Sequence, residues 1–168
     1  HFLTGFPHPD GRFRFKPDWA AIGPYHDGMP SMPDHWAATD TIDADRPLRL
    51  VTPPSRTYLN TSFSETPSSR KREGRPTALV HPQDAAELGI ADGGKIRIGN
   101  RKGEVSLHAE ISDAAKPGIV ISEGVWPDDA FEGGIGINLL IDAIPVPPAG
   151  GAAFHDTAIW LKAAAEEI

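Results

Sequence analysis

Leu79–Ser122, LVHPQDAAELGIADGGKIRIGNRKGEVSLHAEISDAAKPGIVIS, decides the fold class. His81-Pro82-Gln83-Asp84 starts a helix that runs through Leu88 and stops at Gly89, a residue that can take the left-handed conformation closing a helix. Alternation at period two follows. Lys95–Gly99 turns Ile96 and Ile98 inward and Lys95 and Arg97 outward. Asn100-Arg101-Lys102-Gly103 reads as a hairpin turn. From Glu104 to Ile111 the apolar positions are Val105, Leu107, Ala109 and Ile111, all on one face. Lys116-Pro117-Gly118 then turns the chain into a third strand, Ile119-Val120-Ile121. The module is long and well patterned but carries no obvious catalytic group, so it reads as a scaffold that presents loops.

On either side the texture changes. Residues 1–46 are rich in Pro, Gly, Asp and aromatics and read as an irregular extension from a preceding domain. Within them Gly11-Arg12-Phe13-Arg14-Phe15-Lys16 alternates as a half-buried strand would. Leu48–Thr52 reads as a strand stopped by Pro53-Pro54. Residues 64–76 read as a polar, charged loop, its basic run Arg70-Lys71-Arg72 a solvated face. Thr77–Val80 is a short strand, and the last strand falls around Ala158–Leu161. Lys162–Ile168 is expected to be a frayed helical tail. Residues 47–162 are thus expected to form the barrel and 163–168 a tail. Many short strands with one clear helix indicate a mainly β protein, a barrel with short helical inserts.

Composition narrows the function. The 168 residues carry 17 Gly and 17 Pro, which favours short strands and turns. A formal net charge of −7 argues against a nucleic-acid or anionic-membrane binder. With no cysteine, neither disulfides nor thiolate metal sites can form. No apolar run reaches membrane-span length. A start at His1 without Met reads as a processed product or a piece of a longer polypeptide. The expected location is the cytoplasm, with the periplasm left open. His8, His26, His35, His81 and His108 are too scattered to make a metal set. His26 and His35 are expected to be exposed, and His81 structural at the helix start. No P-loop and no Ser/His/Asp motif supports kinase or hydrolase chemistry.

Four segments resemble one family in order and spacing. They are LRLVTPPSRTYLNTSF (48–63), HPQDAAELGIADGGKIRIGNRKGEV (81–105), PGIVISEGVWP (117–127) with GGIGINLL (133–140), and AFHDTAIWL (153–161). They are similar to the C-terminal dinucleotide-binding domain of the molybdopterin oxidoreductases, the dimethyl sulfoxide reductase family. Phe6-Pro7-His8-Pro9-Asp10-Gly11-Arg12 resembles a phrase found just upstream of that domain. The resemblance implies a double-psi β-barrel that holds molybdopterin guanine dinucleotide, with molybdenum or tungsten, in the full enzyme. It implies as partners the remaining domains of the parent oxidoreductase, and iron–sulfur electron-transfer subunits. The metal ligand is implied to lie elsewhere. This piece alone is expected to be inactive and without bound cofactor. A rival reading is a non-enzymatic double-psi barrel that serves as an interaction or adaptor module.

The candidate cofactor-binding residues sit in four places. The first is the loop with Thr52, Ser55, Arg56, Thr57, Tyr58, Asn60 and Thr61, whose hydroxyls, amide and guanidinium suit a phosphorylated ligand. The alternative is a loop made polar by solvent. Similar enzymes carry a Thr-Gly-Arg-like triplet where this chain has Thr52-Pro53-Pro54, so Arg56 stands as a displaced guanidinium. The second is Asn138, after a glycine run that allows close backbone approach. Its alternative is a turn Asn capping a backbone group, and the Thr hydroxyl that follows in similar enzymes is replaced by Ile141. The third is Trp126, which could stack on a pterin or purine or pack in the core. The fourth is His155, a ligand donor or a solvated side chain.

Overall fold

The computed structural model describes residues 3–24, 26–32, 34, 40–146, 150–155 and 157–164. The chain divides into two compact units, one of His1–Ala38 with Ala143–Ala153, the other of Thr39–Asp142 with Phe154–Ile168. No helix among the described residues is long and apolar enough to cross a membrane.

The larger unit is built from β1 (Leu48–Val51), α1 (Pro67–Glu73), β2 (Thr77–Val80), α2 (Pro82–Leu88), β3 (Lys95–Asn100), β4 (Gly103–Ile111) and β5 (Ile119–Ile121). Beyond β6 (Pro145–Val146) and β7 (Gly151–Ala152), which pair in the smaller unit, β8 (Thr157–Ala163) returns to it. Six strands close a barrel in the order β1-β5-β2-β4-β3-β8. β1 runs parallel to β5, with Leu50 opposite Val120, and β2 runs parallel to β4, with Ala78 opposite Ala109. The other pairings are antiparallel. Two interlocked parallel pairs inside one closed six-stranded sheet make the double-psi arrangement.

The alternation read from the sequence fills this barrel. Ile96 and Ile98 of β3, Leu107 of β4, Val80 of β2, Val120 of β5 and Leu50 and Ile159 of β1 and β8 are fully buried. Ile111, at the end of β4, is half-buried. Burying such a side chain stabilises by about 1.5–3 kcal/mol, so these inward rows dominate the fold. Helix α2 begins with Pro82, and His81 Nδ1 accepts from the Gln83 amide at 3.1 Å. It ends at Gly89, whose φ of 65° is the left-handed cap. Asp84 ties the helix to the turn before β5 by accepting from the Gly118 amide at 2.7 Å.

Ahead of β1, Arg46 is buried and clamps the incoming chain. Its guanidinium donates to Asp40 Oδ2 at 2.6 Å and to Asp43 Oδ2 at 2.7 Å. Asp40 Oδ2 also accepts from the Ala158 amide on β8 at 3.2 Å, closing the seam between this segment and the barrel.

The structure departs from the sequence reading in four places. Residues 64–76 contain a helix, α1, capped by Thr66 with Pro67 in its first turn and ended at Gly74. Thr-Pro before the run and Gly after it are the end signals that a polar interior obscures. Gly11–Lys16 forms no strand, because no neighbour offers a ladder. Phe13 instead packs edge-on against Phe6 at 5.2 Å and Phe15 at 4.8 Å, with Phe13 and Phe15 still 55% and 64% exposed. Lys162 and Ala163 belong to β8 rather than to a helical tail, while residues 165–168 lie outside the described residues. His26 sits half-buried in a short 3-10 turn with Nδ1 on the Gly23 carbonyl at 3.1 Å, and His35 lies outside the described residues.

Candidate functional site

The strand directions gather the candidate segments. If β1 points up, β5 and β3 also point up, and β2, β4 and β8 point down. The upper end therefore carries the chain leaving β1, β5 and β3 and the chain entering β2, β4 and β8. The loop from Thr52 follows β1, Trp126 lies shortly after β5, and His155 precedes β8. Asn138 sits in a 3-10 turn, Ile137–Leu140, whose Leu140 carbonyl accepts from Asn100 Nδ2 at the end of β3, 2.8 Å away. All ten candidate residues thus lie toward one end of the barrel although they span more than half of the sequence.

Their surroundings differ. Arg56, Asn60, Thr61, Asn138 and His155 are exposed, and Thr52 is half-buried. His155 lies tilted against Phe154, ring centroids 4.4 Å apart. Ser55, Tyr58 and Trp126 are buried. Tyr58 and Trp126 meet edge-to-face at 5.7 Å and belong to the hydrophobic core cluster. The Tyr58 hydroxyl is buried without a hydrogen-bond partner among the described residues. It lies against Gly124, whose φ is +78° and where an added Cβ would stand 2.3 Å from the Tyr58 oxygen. Glycine is thus required there for two reasons, backbone sign and space. Burial, then the carboxylates of Glu73 and Glu123, pushes the Tyr58 pKa up to about 12.

The loop is fastened from outside by α1. Ser55 Oγ donates to Glu73 Oε1 at 2.9 Å, and Thr57 Oγ1 donates to the same oxygen. Ser69 Oγ donates to the Thr57 carbonyl at 3.1 Å, and Arg70 Nε to the Ser64 carbonyl at 3.2 Å. Further on, Asn60 and Phe63 hold left-handed backbones, φ 49° and 71°; these are the positive-φ non-glycine residues among those described. Asn tolerates this, but a bulky Phe does so at a cost of order 1–3 kcal/mol, strain of the kind that collects at functional loops.

Between loop and helix is a cleft of about 280 Å³ lined by Arg56, Thr57, Arg72, Glu73 and Glu123. A second hollow of about 250 Å³ shares Arg72, Glu73 and Glu123 and adds Arg75, Thr77, Leu79, Glu110 and Trp126. Guanidiniums offer donors to phosphate or ring carbonyl oxygens, and carboxylates accept from ring N–H groups. This donor set fits a polar ligand with both kinds of edge, as a pterin or purine nucleotide has. Arg72, Glu73 and Glu123 escaped the sequence reading; the caps of α1 were the signal that could have placed the first two. Among the described residues no group of three His, Cys, Asp or Glu side chains could hold a metal ion.

Comparisons with known proteins agree with this architecture. Residues 48–158 match the sequence profile of the "Molydopterin dinucleotide binding domain". The chain is 32% identical over 136 residues to the probable oxidoreductase YoaE of Bacillus subtilis, covering 81% of this chain and 20% of that protein. It is 30% identical to the putative catalytic subunit of dimethyl sulfoxide reductase from Halobacterium salinarum, covering 80% and 15%. Against dimethyl sulfoxide reductase DmsA of Escherichia coli it is 31% identical, covering 73% and 16%. The chain therefore spans a fifth or less of the length of these relatives. Acetylene hydratase from Pelobacter acetylenicus shares the fold, with a TM-score of 0.73 at 16% identity over 96% of this chain and 24% of that one. The adaptor reading is not favoured by these matches. With its closed double-psi barrel and the profile match over residues 48–158, the chain belongs to the molybdopterin dinucleotide binding domain family of the molybdopterin oxidoreductases.

Proposed function

We propose that this chain holds the guanine dinucleotide part of a molybdopterin cofactor in a larger molybdenum- or tungsten-dependent oxidoreductase. The observation that carries the reading is that the loop after β1, helix α1 and the chain after β5 meet around a cleft bearing Arg56, Arg72, Glu73 and Glu123. Arg56, Asn60, Thr61, Asn138 and His155 present their side chains to the ligand, joined by Arg72 from α1. Thr52, Ser55, Tyr58 and Trp126 shape the loop behind them. When bound, the cofactor supplies the metal and the redox chemistry. This chain's part is to grip the distal end so that the metal is held in place. The remaining domains supply the rest of the pocket and the metal's surroundings, electrons pass to or from an iron–sulfur partner, and the protein works in the cytoplasm.

The test is nucleotide release from the full parent polypeptide, purified with its cofactor and denatured in acid. Guanosine monophosphate should be recovered, and Arg56→Ala should lower its yield while leaving the melting temperature of this domain unchanged. Absence of any nucleotide would overturn the reading, and recovery of another base would overturn its guanine part. The isolated chain should turn over no sulfoxide, N-oxide or nitrate with a reduced dye.

A further inference from the structure

The two hydroxyls flanking Arg56 are already committed. Ser55 Oγ and Thr57 Oγ1 both give their protons to one oxygen of Glu73. Ser55 Oγ also accepts from the Thr57 amide at 3.2 Å, and Ser69 of α1 takes the Thr57 carbonyl. Residues 55 and 57 are therefore tied to α1 through both hydroxyls and the Thr57 carbonyl, and to each other through the Thr57 amide. Arg56, between them, remains exposed and lines the cleft. A hydroxyl has a single proton, so one spent on Glu73 cannot also be donated to a phosphate.

We propose that Glu73 is the positioning residue of the ligand loop. It takes up the hydroxyl protons of Ser55 and Thr57 and so leaves Arg56 as the donor this stretch of the loop offers to the cleft. This inference rests on the reading that the loop after β1 meets the nucleotide, and it changes what the loop does there. The sequence suggests recognition by a hydroxyl-rich loop. The structure assigns recognition to the Arg56 guanidinium, with the hydroxyls serving as rivets. Two donors on one carboxylate oxygen also spread its negative charge, which lets a carboxylate stand beside an anionic ligand. α1, though polar, is thus a working part of the site, holding the loop through Ser69, Arg70 and Glu73.

The experiment uses the full chain, with guanosine diphosphate as the probe in calorimetry and amide hydrogen exchange as an independent readout. Glu73→Ala should speed exchange of the Thr57 amide at least tenfold and weaken guanosine diphosphate at least tenfold. Glu73→Gln keeps an acceptor for both hydroxyls and removes a like charge near the ligand. It should restore protection and hold affinity within threefold of the parent chain or better. Ser55→Ala should leave affinity within threefold, whereas Arg56→Ala should reduce it at least tenfold. The proposal is overturned if Glu73→Ala leaves the Thr57 amide as protected as before, or if Ser55→Ala weakens binding as much as Arg56→Ala. If this chain without substitutions does not bind guanosine diphosphate, the exchange arm alone decides whether Glu73 sets the loop, and nucleotide release from the parent polypeptide decides the nucleotide reading.

Discussion

Tyr58→Phe should make this protein more stable. The substitution removes one oxygen and nothing else. That oxygen is buried, has no hydrogen-bond partner among the described residues and presses against the Gly124 backbone. A buried hydroxyl left unsatisfied costs about 1–3 kcal/mol relative to its hydrated state in the unfolded chain. Against that gain, deleting one atom leaves a void of roughly 10 Å³, which at about 24 cal/mol per Å³ costs only about 0.2 kcal/mol. The ring itself, edge-on to Trp126, is retained. The net expectation is a gain of about 1 kcal/mol, or about 2–4 °C in melting temperature for a chain of this size. Urea unfolding followed by tryptophan fluorescence reads it. A second arm uses pH. The folded-state pKa of Tyr58, about 12, lies above the ordinary value of 10. The folded chain therefore holds the proton more tightly than the unfolded one. The stabilisation this brings is complete below pH 10 and is lost as pH rises from 10 towards 12. The Phe variant lacks that part of the alkaline loss. A loss of more than 1 kcal/mol at pH 7 would contradict this account, because it would mean that the hydroxyl is hydrogen-bonded in the folded chain.

Gly124→Ala should destabilise by about 2–4 kcal/mol, combining strain at positive φ with the clash on the Tyr58 oxygen, and Tyr58→Phe in the same chain should recover part of the loss. Arg46→Met should cost roughly 1–3 kcal/mol in urea unfolding, since it leaves Asp40 and Asp43 beside a buried stem that no longer pairs with them. Its partner Asp43 titrates below the ordinary carboxylate range, chiefly through the Arg46 hydrogen bond. The associated stability is present above pH 4 and fades as pH falls below it, and Asp43→Asn should flatten that acid limb. His108 is held below its usual pKa, first by burial and then by Arg75 and Lys95, with Glu132 opposing. Its neutral form is favoured on folding, so melting temperature should drop as pH falls below 6.5, and His108→Gln should lessen the drop.

The barrel was largely legible because its strands obey a period of two. Ile96 and Ile98, then Val105, Leu107 and Ala109, are inward in the structure as their alternation requires. α2 was equally plain, with His81-Pro82 at one end and Gly89 at the other. α1 is hidden in the sequence because a helix held by donors on Ser69 and Arg70 and an acceptor on Glu73 shows no apolar stripe. Gly11–Lys16 misled in the opposite sense. Its alternation is real, but a strand exists only where another strand completes its ladder.

Most local elements and the family follow from the order of the amino acids alone, because periodicity, caps and the succession of motifs are local or linear properties. Folding settled which candidate groups are free to meet a ligand. Ser55, Arg56 and Tyr58 stand within four positions of each other and look alike as polar loop residues. Glu73, 18 positions beyond Ser55, takes the hydroxyl of Ser55. Trp126 and Gly124 enclose Tyr58. Arg56 is left exposed at the cleft. Availability of a polar group depends on which distant residues have already claimed it, and the closing of the barrel makes those claims.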